Sequence, residues 1–256
     1  MTEKSNWILM MTKTSAEEDL FAHIEDLQEH SQLWHTSVCS KFLTEGQQAL
    51  LKKRFPASEL IKYEGGYPGA LKKEVIFLFD EEDDFSDIVC LKAKIDQRFR
   101  KITHRDVLGA IMHLQVEPDA FGDLWVDESY VYLYTTMTMA DFFVQNLTRI
   151  NQLNVHFEII RERPSQQFHF KTVQVVAGSE RLDALVASVC HISRAQAKQK
   201  IHQGGVSVNH MVLDVPDKVC DNNDTISIRG EGRFIYRGVQ HTTKSDRVVA
   251  VFDKYM

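Results

Sequence analysis

The side chains best suited to chemistry are cations gathered between Ser179 and Phe234: Arg181, Arg194, Lys198, Lys200, Arg229 and Arg233. Guanidinium and ammonium groups near a helix start bind phosphate, because the first turn adds free N–H groups and partial positive charge. Ser193 stands where such a helix would open, with Gln196 three residues on as a capping box. Arg194 and Lys198, four apart, share one helical face. Ser179 and Asn209 complete the candidate set. A clamp on RNA phosphates is what these types imply. A solvated basic face is the plainer alternative.

Catalytic combinations fare worse. His104-Arg105-Asp106 is similar to a kinase catalytic loop, but no Asn follows at the right offset and no glycine-rich nucleotide loop exists. Asp106 is expected to cap a helix instead. Gly65-Gly66-Tyr67-Pro68-Gly69 lacks the Gly-Lys-Ser/Thr of a phosphate-binding loop. Cys39, Cys90, Cys190 and Cys220 are scattered, which suits reduced thiols and argues against a zinc site. The eleven histidines show no ligand spacing. No catalytic residue, metal or cofactor is therefore expected.

The elements that must position the cations are short. Leu182, Leu185, Val186 and Val189 recur at helical spacing, and Ala197 and Ile201 face inward on the next helix. Gly204-Gly205 supplies the left-handed geometry that ends a helix. Val206 and Val208 alternate with polar residues as a strand, Asn209-His210 is a turn, and Ile226 and Ile228 mark another strand. The stretch reads as two small helices on a small sheet. A polar loop, Gln240 to Ser245, leads to a further strand, Arg247 to Phe252.

The joint pattern Arg181-Leu182-Asp183, Ser193-Arg194, Gly205-Val206 with Val208-Asn209, and Asp224-Ile226-Arg229-Gly230 resembles the S-four RNA-binding domain, an αL-type module. Asn222-Asn223-Asp224 departs from the usual Glu-Gly-Asp, but Asn tolerates the left-handed region and the turn is expected to survive. Arg181-Leu182-Asp183 also resembles the active-site triplet of pseudouridine synthases. It lies inside the S-four pattern, and no catalytic domain of that size remains, so Asp183 is read as a local hydrogen-bonding or ion-pairing residue.

Upstream, residues 1–14 carry no periodic signal, and Ser15 with Glu18 reads as the capping box of a first helix through Leu20, Phe21, Ile24 and Leu27. Thr44 with Gln47 opens a second, closed by Pro56. Val75 to Phe79 is an apolar strand. From Ile88 the order is strand, helix (capped by Thr103 with Asp106), strand, strand, helix (capped by Thr138 with Asp141), strand to Ile160. That is the split βαβ, ferredoxin-like arrangement. Tyr130, Tyr132 and Tyr134 alternate onto one face of a strand, either as a base-stacking platform or, the preferred reading, as a face covered by other parts of the chain. Gly65-Gly66-Tyr67-Pro68-Gly69-Ala70, His104-Arg105-Asp106-Val107-Leu108-Gly109-Ala110 and Phe121-Gly122-Asp123 together resemble YlmH-type bacterial proteins, which set an RNA-recognition-like domain ahead of an S-four domain. His113-Leu114-Gln115 replaces a Gly-Leu-Gly run of that family.

Composition sets the frame. The 256 residues allow two or three domains, and 43% hydrophobic content is that of a globular chain. Net charge is −6, unusual for an RNA binder, but residues 177–256 carry 11 Lys+Arg against 9 Asp+Glu. The acid concentrates upstream in Asp80-Glu81-Glu82-Asp83-Asp84 with Asp87, read as a solvated hairpin loop facing away from RNA. No apolar run approaches the ~20 residues of a membrane span. The expected fold class is α+β: an N-terminal helical subdomain (1–58), a ferredoxin-like domain (59–163), a linker (164–176) whose later part docks as an extended lead-in, and an S-four domain with a C-terminal strand (177–256).

The expected protein is a cytoplasmic monomer without enzyme activity. RNA is its partner, rRNA first and tRNA as the second candidate, with neither DNA nor membrane. The resemblance further implies the large ribosomal subunit carrying peptidyl-tRNA, in ribosome-associated quality control. An rRNA- or tRNA-modifying enzyme of pseudouridine-synthase type, or a cell-division interaction protein, are the alternatives.

Overall fold

No glycine or proline interrupts the chain before Gly46, and a helix, α1 (Glu3–Trp34), runs almost from its start. Ser15 lies inside it rather than at its N-cap, so the expected box does not start the helix. His35 ends it in the left-handed region, at φ 49°. The computed structural model describes the backbone of residues 3–98 and 101–256, and the side chains from residue 17 onward within those ranges. The described residues form two compact units, one within 1–166 and one within 167–256.

In the first unit, β1 (Val38–Cys39), α2 (Glu45–Leu51), β2 (Ile61–Glu64) and β3 (Glu74–Phe77) follow α1. Thr44 and Gln47 form the expected capping box on α2. The strands pair antiparallel in the order β1-β3-β2. Ile24 of α1 packs with Leu43, Leu51, Phe55, Val75 and Phe77. The piece expected as helical and confined to 1–58 thus continues through residue 77. Its apolar helix faces are closed by β3, and a two-residue strand such as β1 has no period to read.

Next come β4 (Ile88–Lys94), α3 (His104–His113), β5 (Phe121–Val126), β6 (Tyr130–Thr136), α4 (Met137–Asn146), the small hairpin β7 (Arg149–Ile150) and β8 (Leu153–Asn154), and β9 (Phe157–Ile160). The sheet order β5-β6-β4-β9, antiparallel throughout, is the ferredoxin-like order. One face carries Leu91, Ala93, Val131, Leu133 and Phe157 against Val107 and Ile111 of α3 and Phe143 of α4. Thr103 and Asp106 cap α3 as expected. Helix α4 is capped by Thr136, whose hydroxyl accepts from the Met139 N–H, and not by Thr138. The acidic stretch 80–84 joins β3 to β4, which lie in different sheets, so it is a crossing between layers and not a hairpin loop. It is tied down locally, with Asp80 accepting from the N–H groups of Glu82 and Asp83 at 2.9 and 3.0 Å.

The second unit opens with β10 (Phe170–Ala177), inside the stretch expected as linker. It pairs along its whole length with the last strand. The extended lead-in is therefore a full edge strand, and the linker shrinks accordingly. Then follow α5 (Leu182–Val189), α6 (Arg194–His202), β11 (Val206–Val208), β12 (Met211–Val212), β13 (Thr225–Ile228), β14 (Gly232–Thr242) and β15 (Val248–Tyr255). The antiparallel order is β10-β15-β14-β13-β11-β12. Leu182, Leu185, Val186, Ala197 and Ile201 close one side over Val206, Ile226, Phe234, Tyr236 and Phe252. Asn209 and His210 both take positive φ in the β11–β12 turn, and Asn223 takes φ 72°, so the turn before β13 survives the family departure.

Candidate nucleic-acid interface

Helix α5 begins at Arg181 and helix α6 at Ser193, which brings the two starts together around one carboxylate. Asp183 is fully buried in the first turn of α5. Its backbone N–H donates to the Pro216 carbonyl at 2.8 Å, which pins that turn to the following loop. Arg194 Nη2 donates to both Asp183 oxygens, at 2.9 and 2.8 Å. Arg181 Nε reaches Oδ1 at 3.3 Å, and Lys198 Nζ lies 3.8 Å from Oδ2. Burial by itself would push this carboxyl up. The hydrogen bonds and charges of Arg181 and Arg194 outweigh it and hold Asp183 below the usual carboxylate range.

Three cations around one anion leave an excess of positive charge at the surface. The side chains of Arg181, Arg194 and Lys198 stay 37%, 52% and 49% exposed. Each of these side chains thus keeps solvent-accessible surface while it is held at Asp183. Fixed donors lose less freedom on meeting phosphate than free surface side chains would. The Asp183 carboxylate is thus enclosed by cations with no exposed surface of its own.

The remaining candidates are dispersed. Ser193 is exposed but engaged in its cap, its Oγ accepting from the Gln196 N–H at 3.2 Å. Ser179 Oγ lies 3.5 Å from the Arg181 N–H, just ahead of α5. Lys200 sits in the last turn of α6, and the backbone of Gly205 packs against its stem. Arg229 is exposed at the β13–β14 turn. Arg233 lies over the Tyr255 ring at 5.5 Å. Asn209 is committed to the fold: its amide donates to Asp224 at 2.6 Å and its carbonyl accepts from the Thr225 N–H at 2.9 Å. Arg181, Arg194 and Lys198 thus form one cluster, while the other candidates flank it or serve the turns.

On the ferredoxin-like sheet, the tyrosine stripe is divided. Tyr134 is fully buried under Phe42, Tyr67 and Ala70. Gly66, at φ 91°, lets the loop approach so closely that a Cβ there would lie 2.4 Å from the Tyr134 ring. Tyr67 donates to Asp123 at 2.7 Å, and Asp123 also accepts from the N–H groups of Leu71 and Lys72. Two of the family motifs, Gly65–Ala70 and Phe121–Asp123, therefore meet. Tyr132 and Tyr130 are half-buried; Trp125 stacks on Tyr132 at 5.0 Å, and Lys92 lies over the Tyr130 ring at 3.9 Å. Covering by other parts of the chain holds at the Tyr134 end and is incomplete at the Tyr130 end. Lys92 went unnoticed in the sequence, because its place opposite Tyr132 depends on strand register.

A ferredoxin-like sheet and a two-helix module with a cation cluster on an antiparallel sheet define a two-unit α+β protein of RNA-binding-module build. Residues 80–163 match the family described as "Putative RNA-binding domain in YlmH". The ribosome-associated protein quality control protein P2 of Bacillus subtilis (strain 168) is 28% identical over 223 residues, covering 83% of this chain and 85% of the relative. A solved structure, the cell division protein ylmH from Streptococcus pneumoniae, aligns with a TM-score of 0.42 at 18% identity, over 62% of this chain and 93% of that one. Residues 80–163 are thus similar to the RNA-binding domain of YlmH, and most of the chain is similar to the B. subtilis relative.

Proposed function

We propose that this chain is a ribosome-associated RNA-binding protein. It binds the large subunit, with peptidyl-tRNA present, in quality control of stalled translation. The observation that carries the reading is the ordered cluster of Arg181, Arg194 and Lys198 about Asp183, together with a relative named for ribosome-associated quality control. The cluster meets backbone phosphate, with Ser179, Ser193, Lys200, Arg229 and Arg233 extending the contact. Asn209 holds the β11–β12 turn beside it. The protein works as a cytoplasmic monomer and binds rather than modifies its RNA.

Sucrose-gradient sedimentation of the full chain with large subunits, small subunits and intact ribosomes tests this. Co-migration with large subunits is expected, strengthened by peptidyl-tRNA, and Lys198→Gln should weaken it. Co-migration chiefly with small subunits, or with none at low salt, would overturn the reading. Measured turnover of rRNA or tRNA would return the protein to the modifying enzymes.

A further inference from the structure

Glu74, at the start of β3, has no exposed surface, and apart from the neighbouring Cys39 thiol neither of its carboxylate oxygens has a hydrogen-bond partner. A carboxylate withdrawn from water without partners is strongly unfavourable unless something compensates it. Two other donor side chains share its place. Cys39 comes from β1, and Asp87 immediately precedes β4. One ligand atom of each lies within 4.8 Å of the other two. The Cys39 Sγ and Asp87 Oδ1 are 3.9 Å apart.

We propose that Cys39, Glu74 and Asp87 form a binding site for a divalent cation of zinc type. Zinc takes thiolate sulfur at about 2.3 Å and carboxylate oxygen at about 2.0–2.2 Å, which sets S···O at about 3.5 Å in a tetrahedron. The Cys39–Asp87 spacing of 3.9 Å needs only a small contraction to reach it. Sulfur in the donor set favours zinc over magnesium or calcium, which take oxygen alone. A divalent cation would offset the negative charge that the two carboxylates and the thiolate carry once deprotonated. The site would clamp β1 and β3 of the three-stranded sheet to the start of β4 in the four-stranded sheet. The donors lie 35 and 13 residues apart, so no motif spacing reveals them, and the expectation of no metal rested on that spacing.

The test uses the purified full-length chain, stripped by a chelator and then titrated with Zn²⁺ against a chromogenic competitor. About one equivalent is expected to bind and to raise the melting temperature. Cys39→Ser and Glu74→Gln should each lower the affinity at least about tenfold, with circular dichroism confirming that both fold. Co²⁺ loaded into the wild type should show thiolate-to-cobalt charge-transfer absorption. That readout stands even where a variant fails to fold. No uptake of Zn²⁺, uptake unchanged in both variants, or a cobalt spectrum without the charge-transfer band would each overturn the proposal.

Discussion

Three cations that would meet phosphate converge on Asp183, a side chain with no exposed surface. Two accounts of the cluster give opposite expectations. If attraction depends on net charge alone, Asp183→Asn adds one positive charge to the second unit and should tighten RNA binding. If the anchor matters because it orders the donors, the same change releases Arg181, Arg194 and Lys198 and binding weakens. We expect weakening by about tenfold, the size of one charge-assisted hydrogen bond, in a filter-binding or sedimentation assay with large subunits. Stability supplies a second readout. The folded-state pKa of Asp183 is depressed, so its contribution is present above the unfolded value of about 3.9 and is lost as pH falls through the lower, folded value. Acid melts of Asp183→Asn should lack that part of the wild-type decline. Charge reversal at Arg194 is a poor probe, because a glutamate there would sit against the buried carboxylate and disrupt the turn itself.

Among the elements, β6 divides between structural and exposed surface along its length, and this yields a graded prediction. Tyr134 is enclosed by the Gly65–Ala70 loop, so Tyr134→Ala should cost about 3–5 kcal/mol, typical of a buried aromatic truncation. Gly66→Ala should be similarly harmful, since its φ is 91° and the added methyl would strike the Tyr134 ring. Tyr132→Ala, at a half-buried position, should cost less. Thermal melts rank the three, and a Tyr132→Ala loss equal to that of Tyr134→Ala would contradict the ordering. The same elements mark what the sequence could disclose. Capping boxes at Thr44, Thr103 and Ser193 were legible because donor and acceptor lie three residues apart. The ferredoxin-like order was legible because each of its longer elements keeps its own period. The pairing of Val38-Cys39 with β3, the place of Lys92 opposite Tyr132, and the meeting of Cys39, Glu74 and Asp87 all depend on register and long-range pairing. No local pattern encodes these; likewise the site's cations, and Asp183 as an ion-pairing residue, could be named from sequence, while the convergence of Arg181, Arg194 and Lys198 on that one carboxylate could not.

For the whole molecule the balance of charge sets the manner of binding. The net charge of −6 gives little non-specific attraction to RNA, and the basic excess of the second unit is small. Affinity must then come from a few phosphate contacts held in fixed positions, not from a diffuse cationic field. About four such contacts give a slope near −3 for log affinity against log salt. Binding of the full chain to large subunits, measured by sedimentation across a series of salt concentrations, should follow that slope. Unstructured single-stranded RNA should compete poorly, because it cannot present several phosphates at the spacing of the fixed donors. A slope near zero would mean that apolar or neutral contacts carry the association. A slope steeper than about −6, with efficient competition by single-stranded RNA, would mean that a diffuse electrostatic field does. In either case the ordered cluster at α5 and α6 would lose its place as the source of affinity.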